Sequence, residues 1–263
     1  MITEILDARI GVISPDDSIN DEEFWACLPE KVNFLFTRYR TPQSYDPISI
    51  SMVQTYADVD TIYDAALTLR ITRPSVVIFA CNSGSFIGGV GSDRGIIEAI
   101  EKGARAPATT ITTAQVEALN EMGIKRVAIV GPYPQAVTQR LADFLTSSGF
   151  VVTAVASADM DTEWEIGNAQ PQVWADLARQ VNSPEAECII IAGSGTRTAP
   201  ILDALERELD KPVLSGPAVV TWHALRMAGV QSRLSGRGRL LASGLVACPM
   251  TLDKPRVHLG INH

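Results

Sequence analysis

Cys81 closes an apolar run, Val76-Val77-Ile78-Phe79-Ala80, and is followed at once by Asn82-Ser83-Gly84-Ser85. A thiol can serve as nucleophile, acid or base, and its thiolate attacks activated carbon. The small residues after it offer hydroxyl and backbone N–H donors suited to an anion. An apolar run of this length reads as a buried parallel strand. Open α/β sheets bind ligands beyond the carboxyl ends of their strands. Cys81 therefore stands where a reacting carbon would be held.

The rest of the composition narrows what that chemistry serves. The chain has 263 residues, 46% hydrophobic and 20% charged, with net charge −8. That suits one large or two small α/β domains of a globular enzyme. The acidic balance, with no basic stripe, argues against nucleic acid and anionic membrane as partners. No apolar run approaches the ~18 residues that cross a bilayer. Met1-Ile2-Thr3-Glu4 lacks the basic and apolar regions of a signal peptide. The four cysteines, at 27, 81, 188 and 248, stand singly. Without Cys-x-x-Cys or a Cys/His cluster, no metal site is expected, and a reducing cytoplasm is the expected location. Cys188 falls inside an apolar strand and reads as core. Cys27, beside Phe24-Trp25, reads as packing, and nothing suggests chemistry at Cys248.

Strand-like and helix-like stretches alternate along the chain. Residues 10–15, 32–38 and 76–80 read as strands, 106–110 as a fourth strand or loop, and 53–69, 95–103 and 113–122 as helices, two of them closed by Gly103 and Gly123. The pattern then begins again. Arg126-Val127-Ala128-Ile129-Val130-Gly131-Pro132 echoes Arg9-Ile10-Gly11-Val12-Ile13-Ser14-Pro15. Cys188-Ile189-Ile190-Ile191-Ala192-Gly193-Ser194 echoes the Cys81 segment. Lys211 to Ser215 and Ala218 to Gly229 repeat the strand and helix that follow. Offsets between paired segments run from 105 (Pro107 to Pro212) to 117 (Arg9 to Arg126). Units of this length are too long for a solenoid and suit two similar α/β lobes facing each other across a cleft. In that arrangement Cys81 faces Gly193.

Taken together, Gly11-Val12-Ile13-Ser14-Pro15, Cys81-Asn82-Ser83-Gly84-Ser85-Phe86, Gly131-Pro132-Tyr133, Gly193-Ser194-Gly195-Thr196-Arg197-Thr198 and Thr221-Trp222-His223-Ala224-Leu225-Arg226 carry a family resemblance. The chain resembles the aspartate/glutamate racemase superfamily, in the branch of maleate cis-trans isomerases and arylmalonate decarboxylases. The resemblance covers nearly the whole length. It implies two Rossmann-like (flavodoxin-like) lobes with parallel sheets, related by a pseudo-twofold, and an active site between them. The expected division is 1–113 plus 220–263 for the first lobe and 114–219 for the second. It also implies carbon-acid chemistry run by cysteine without a cofactor, a small carboxylate substrate and a homo-oligomer. Family members that pass protons between two faces carry two opposed cysteines, and arylmalonate decarboxylases keep only the second. This chain keeps the first, Cys81, and has Gly193 in the second place.

The resemblance gives catalytic roles to Cys81 and Tyr133. It places Ser14, Pro15, Asn82, Ser83, Gly193 and Ser194 around the substrate carboxylate. An enediolate formed there needs several aligned donors, each worth roughly 3 kcal/mol in the transition state. Arg38 could hold a second, retained carboxylate; Arg40 is an equal candidate by position. Two routes follow. Cys81 thiolate could add to a cis double bond, allow rotation and leave. Alternatively, Cys81 could protonate the enediolate from a decarboxylated malonate, with the product hand opposite to that of arylmalonate decarboxylases. A protein that only binds a carboxylate is a third reading, motivated by the missing second thiol. Asp16 and Asp17 read as turn residues and helix caps, and His223 as structural or interfacial. Gly193-Ser194-Gly195-Thr196 lacks the Lys and spacing of a phosphate loop.

Overall fold

The computed structural model of the chain describes residues 6–42 and 46–243; Cys248 lies outside the described residues. Its first half runs β1 (Ala8–Pro15), α1 (Asp21–Trp25), β2 (Val32–Tyr39), α2 (Ile50–Thr55), α3 (Val59–Arg70), β3 (Val76–Phe79), α4 (Asn82–Phe86), α5 (Ser92–Ala104), β4 (Ala108–Thr110) and α6 (Ile111–Glu121). The second runs β5 (Arg126–Gly131), α7 (Gln135–Ser147), β6 (Val151–Ser157), α8 (Glu163–Asn168), α9 (Pro171–Val181), β7 (Cys188–Ile191), α10 (Leu202–Leu209), β8 (Val213–Ser215), α11 (Gly216–Met227) and α12 (Arg239–Ala242). The strands form two four-stranded parallel sheets of identical order, β2-β1-β3-β4 and β6-β5-β7-β8.

The duplication legible in the sequence is a duplication of topology. In each sheet the order reverses beside the first strand, between β1 and β3 or between β5 and β7, and that switch point is where an α/β sheet opens a crevice for ligand. The central strands are apolar on both faces because helices cover both sides. Val76, Val77, Ile78 and Phe79 are fully buried, as are Cys188, Ile189, Ile190 and Ile191. Cys188 is core, as its surroundings in sequence imply. Cys27 is buried too. Helix α11 packs against α6 and against β3 and β4 of the first sheet. Among the described residues no helix is long and apolar enough to cross a membrane.

The helix expected over 53–69 is two helices. Asp58 takes an extended conformation (φ −66°, ψ 108°), and its carboxylate accepts the Thr61 N–H at 2.8 Å, capping α3. The cap draws the chain out of helix between Thr55 and Val59 although the apolar spacing continues across the break. Tyr56, in the break, is thereby turned toward the site.

Side chains from α1 tie the lobes together. Glu23 is 4% exposed, and its Oε2 accepts three hydrogen bonds from the loop after β7: Thr198 N–H at 2.9 Å, Thr198 Oγ1 at 3.1 Å and Ala199 N–H at 2.9 Å. Asn20 Nδ2 donates to the carbonyls of Gly167 and Gly195. The loops after β2 and β6 also meet, with Ile48 N–H donating to Asp161 O at 2.7 Å. Replacing Glu23 by Ala strands these donors in a dry interface, with an expected cost of roughly 3 kcal/mol in urea unfolding at pH 7. Glu23→Gln keeps an acceptor and loses less. Equal midpoints for wild type and Glu23→Ala would mean that the tie contributes nothing to stability.

Candidate active site

Register places the candidate nucleophile and its mirror. Ile13 pairs with Phe79 at the end of the β1–β3 ladder, and Val130 with Ile191 at the end of β5–β7. One residue on, Ala80 N–H donates to Ile13 O at 2.7 Å and Ala192 N–H to Val130 O at 2.8 Å. Cys81 and Gly193 are the next residues, so they occupy the same place in the two lobes. The loops touch directly: Gly193 N–H donates to Asn82 Oδ1 at 2.9 Å, both groups buried.

Cys81 is 3% exposed and precedes the first turn of α4. Its Sγ lies 3.8 Å from Ser83 Oγ, and its charge acts on Tyr39, whose hydroxyl donates to Tyr56 O at 2.9 Å. Burial pushes the thiol up to about 12; the Gly84 N–H and Ser83 oppose that rise, and the charges of Glu163 and Asp17 add to it. At neutral pH Cys81 is a protonated thiol, ready to give a proton and in need of losing one before it attacks carbon.

Tyr133 enters from the turn after β5 and is 3% exposed. Burial, then the charges of Glu163 and Cys81, raise its hydroxyl well above the usual range, and the neighbouring Ser83 opposes that rise. Its ring meets Phe86 edge-on at 6.2 Å. The structure thus joins Cys81, Ser83 and Tyr133 in one cluster that spans both lobes. Asn82 is 1% exposed, and its Nδ2 has no hydrogen-bond partner. With Oδ1 fixed on Gly193, that Nδ2 is the end of the amide left to bind a ligand. Ser194 is half-buried beside Gly193.

Two sequence expectations are revised. Gly193 is not a free backbone donor, because Asn82 already takes its N–H. Arg38 is not a free carboxylate clamp: its guanidinium bonds Ser14 Oγ, and its Nη2 sits 2.9 Å from each carboxylate oxygen of Asp21. Asp21 opens the helix that follows β1, and sequence spacing gave no sign that the two would pair. Ser14 and Pro15 are buried at the end of β1, with the Ser14 hydroxyl engaged by Arg38. Arg40 is exposed. His223 is a half-buried partner of Thr109 Oγ1 at 2.8 Å, and desolvation with Arg226 holds it down to about 4, so it remains neutral.

Four groups that sequence reasoning did not assign to the site surround the thiol: Asp17, Tyr39, Tyr56 and Glu163. The Tyr56 hydroxyl donates to Asp17 Oδ2, while Asp17 Oδ1 is buried without a partner. Glu163 follows Thr162, which caps α8 in a capping box with Glu165, on the loop leaving β6. A Cβ on Gly195 would lie 3.6 Å from Glu163 Oε2. Burial and then Asp17 push the Glu163 carboxyl up to about 8. Asp17 is pushed up as well, by burial first and then by Asp16 among the charges, against the Tyr56 hydrogen bond. The Thr162-to-Glu165 capping pattern at a strand-end loop was the one sequence signal for Glu163. Among the described residues no cluster of His, Cys, Asp or Glu is arranged to hold a metal ion.

A duplicated parallel α/β fold with a buried thiol at one switch point and tyrosines and carboxyls around it defines a two-lobed enzyme of the cysteine-dependent carbon-acid type. The arylmalonate decarboxylase family model matches residues 48–241. The chain belongs to that family. It is 27% identical over 203 residues to the arylmalonate decarboxylase of Bordetella bronchiseptica, covering 76% of this chain and 80% of the relative. To the maleate isomerase of Alcaligenes faecalis it is 28% identical over 185 residues, 67% of this chain and 72% of that one. The fold matches, with TM-score 0.81 and 22% identity, a Nocardia farcinica maleate cis-trans isomerase, a cysteine-to-serine variant holding a covalently bound succinylcysteine intermediate; the match covers 90% of this chain and 98% of that one.

Two measurements check this geometry. Gly193 has φ +100°, and a Cβ there would meet Thr196 Cγ2 at 3.0 Å and Pro132 Cγ at 3.1 Å. Restoring a second thiol by Gly193→Cys is therefore expected to cost roughly 1–3 kcal/mol in urea unfolding, and Gly193→Ala a similar amount, since the backbone carries the strain. An unchanged midpoint for both variants would contradict the strained geometry. The second measurement is of pH. Glu163 ionises near 8 in the fold against an ordinary 4.5. Between those values the folded chain keeps a proton that the unfolded chain has lost, so this contribution to stability falls as pH rises. Melting temperatures taken from pH 5 to 8 should fall more steeply for wild type than for Glu163→Gln; parallel curves would place the carboxyl in an ordinary environment.

Proposed function

We propose that the protein is a cofactor-free, cysteine-dependent isomerase of a small cis-unsaturated dicarboxylate, with maleate as the model substrate. The observation that carries this reading is the single buried thiol of Cys81 at the first-lobe switch point, bracketed by Ser83 and Tyr133. Its likeness in sequence to a maleate isomerase supports the choice of substrate class. In the route that fits, the Cys81 thiol loses its proton to solvent, the thiolate bonds one alkene carbon and the π pair moves toward the neighbouring carboxylate as an enediolate. The hydroxyls of Tyr133 and Ser83 and the Nδ2 of Asn82 are the donors for the developing charge. Rotation about the new single bond and departure of the thiolate give the trans acid.

One observation favours a second reading. The resting thiol is protonated, which suits a proton donor to the enediolate left by decarboxylation of a substituted malonate. That is the activity carried by the name of the matching family. A homo-oligomer and a cytoplasmic location complete the proposal, the latter supported by the three cysteines among the described residues, all unpaired; light scattering after size exclusion tests the former.

A panel of maleate, phenylmalonate and aspartate separates the readings. The expected result is fumarate from maleate, with loss of roughly 1,000-fold or more in kcat/KM for Cys81→Ala, since a nucleophile has no substitute in the pocket. Phenylacetate from phenylmalonate with maleate untouched would select the decarboxylase. Full activity in Cys81→Ala would overturn both.

A further inference from the structure

We propose that Glu163 is the acid and base on the second-lobe side of the cleft, exchanging a proton with the substrate carbon adjacent to the one that Cys81 bonds. The inference rests on the isomerase reading and supplies the partner that reading lacks. The place that mirrors Cys81 is Gly193, which has no side chain, and its N–H is held by Asn82. The carboxyl of Glu163 lies against the same loop two residues on, at Gly195. Its charge acts on Cys81, Tyr133 and Tyr56 alike, so it shares their cleft. Among the described residues, nothing donates a hydrogen bond to that carboxyl. The other acids nearby are worse placed or worse suited. Asp17 already accepts the Tyr56 hydroxyl, a bond that favours its carboxylate form against the rise that burial causes. The hydroxyls of Tyr56 and Tyr133 are raised above their usual range by burial, and a serine hydroxyl such as Ser194 is a poor proton donor. Burial and Asp17 keep Glu163 protonated at neutral pH, the form a donor needs.

The Cys81 thiol first gives its proton to solvent, and the departing sulfur takes one back at the end of the cycle. The S–C bond forms and the alkene π pair becomes the enediolate. Glu163 gives its proton to the enediolate carbon and becomes a carboxylate, leaving a succinyl thioether. Rotation about the central bond follows. The carboxylate then removes a proton from that same carbon as the C–S pair returns to sulfur. If addition and elimination use the same relative geometry of sulfur and proton, stereochemistry fixes which hydrogen leaves. Removing the proton just added would regenerate the cis acid. The trans acid forms only when the original hydrogen departs, and each product molecule then carries one hydrogen from Glu163, which exchanges with solvent.

The test is isomerisation of maleate in deuterium oxide, read by mass spectrometry and proton NMR of the fumarate formed at low conversion. Wild type is expected to give singly deuterated fumarate. Glu163→Gln, checked for folding by its melting temperature, is expected to lose roughly 100-fold or more in kcat, with KM changed far less and the deuterium lost from whatever product remains. Glu163→Asp, which keeps the acid on a shorter arm, should recover part of the rate and the label. Unlabelled fumarate from wild type, or full rate and label in Glu163→Gln, would overturn the role of Glu163 while leaving a Cys81-dependent isomerase standing. No fumarate from wild type would overturn the isomerase reading and this inference with it.

Discussion

The hydrogen bond from Gly193 N–H to Asn82 Oδ1 is the constraint on which the site depends. It joins the loop that carries the thiol to the loop that mirrors it, at the point where the two switch points meet. Both partners are buried, so breaking it would leave a backbone amide and a side-chain carbonyl without water to replace it. Fixing Oδ1 also orients Nδ2, leaving a donor beside Cys81 that no protein group uses. The backbone at Gly193 reaches this position with φ +100°, in a region that side chains disfavour. One lobe can therefore present its amide to the other because it lacks the side chain that a symmetrical site would carry. Departure from the internal symmetry is built into the geometry that closes the cleft.

Around that bond the two halves contribute different chemistry. The first lobe supplies the thiol, Asn82, Ser83, Tyr39, Tyr56 and Asp17; the second supplies Tyr133 and Glu163 across from them. Desolvation is the leading cause of every large shift in the cluster. A dry pocket of this kind keeps protons on its acids at neutral pH and strengthens each hydrogen bond offered to a charge that develops inside it. The outer ties made by Glu23 and Asn20 act on the loop from Gly195 to Ala199, so the same contacts that hold the lobes together also hold the wall against which Glu163 lies.

Much of this was legible in the sequence because it follows from strand pattern. Runs such as Val76 to Phe79 and Cys188 to Ile191 can only be buried parallel strands in a chain that alternates with helices, and the repeated order then fixes two lobes and a cleft. The position of Cys81 was legible because it follows such a strand, whereas Tyr133 was singled out by the family resemblance. What could not be read depends on where a side chain goes after its strand or helix ends. Arg38 sits at the end of β2 as a carboxylate clamp would, yet its reach is decided by Asp21, which the fold brings beside it. Asp17 resembles a turn residue by type, and it is one by position; only the break after α2 brings Tyr56 onto it. Glu163 looks like an ordinary first-turn acid of a capped helix. Its distinction comes from the fold, which lays its carboxyl against Gly195, where desolvation and Asp17 act on it.

The protonation states give the cleft its electrostatic logic. A thiolate facing two carboxylates and an anionic substrate would be strongly disfavoured, because like charges in a desolvated pocket repel at short range. Holding a proton on Glu163 removes one of those charges, and the Tyr56 hydroxyl tempers the other at Asp17. The pocket thus lowers its own repulsion toward an anion while Arg38 is held by Asp21. The neutral carboxyl that makes anion binding tolerable is also the group able to give a proton once negative charge reaches the substrate carbon. In a site whose arginine is committed to Asp21 and whose second thiol is absent, binding and proton transfer draw on the same hydrogen.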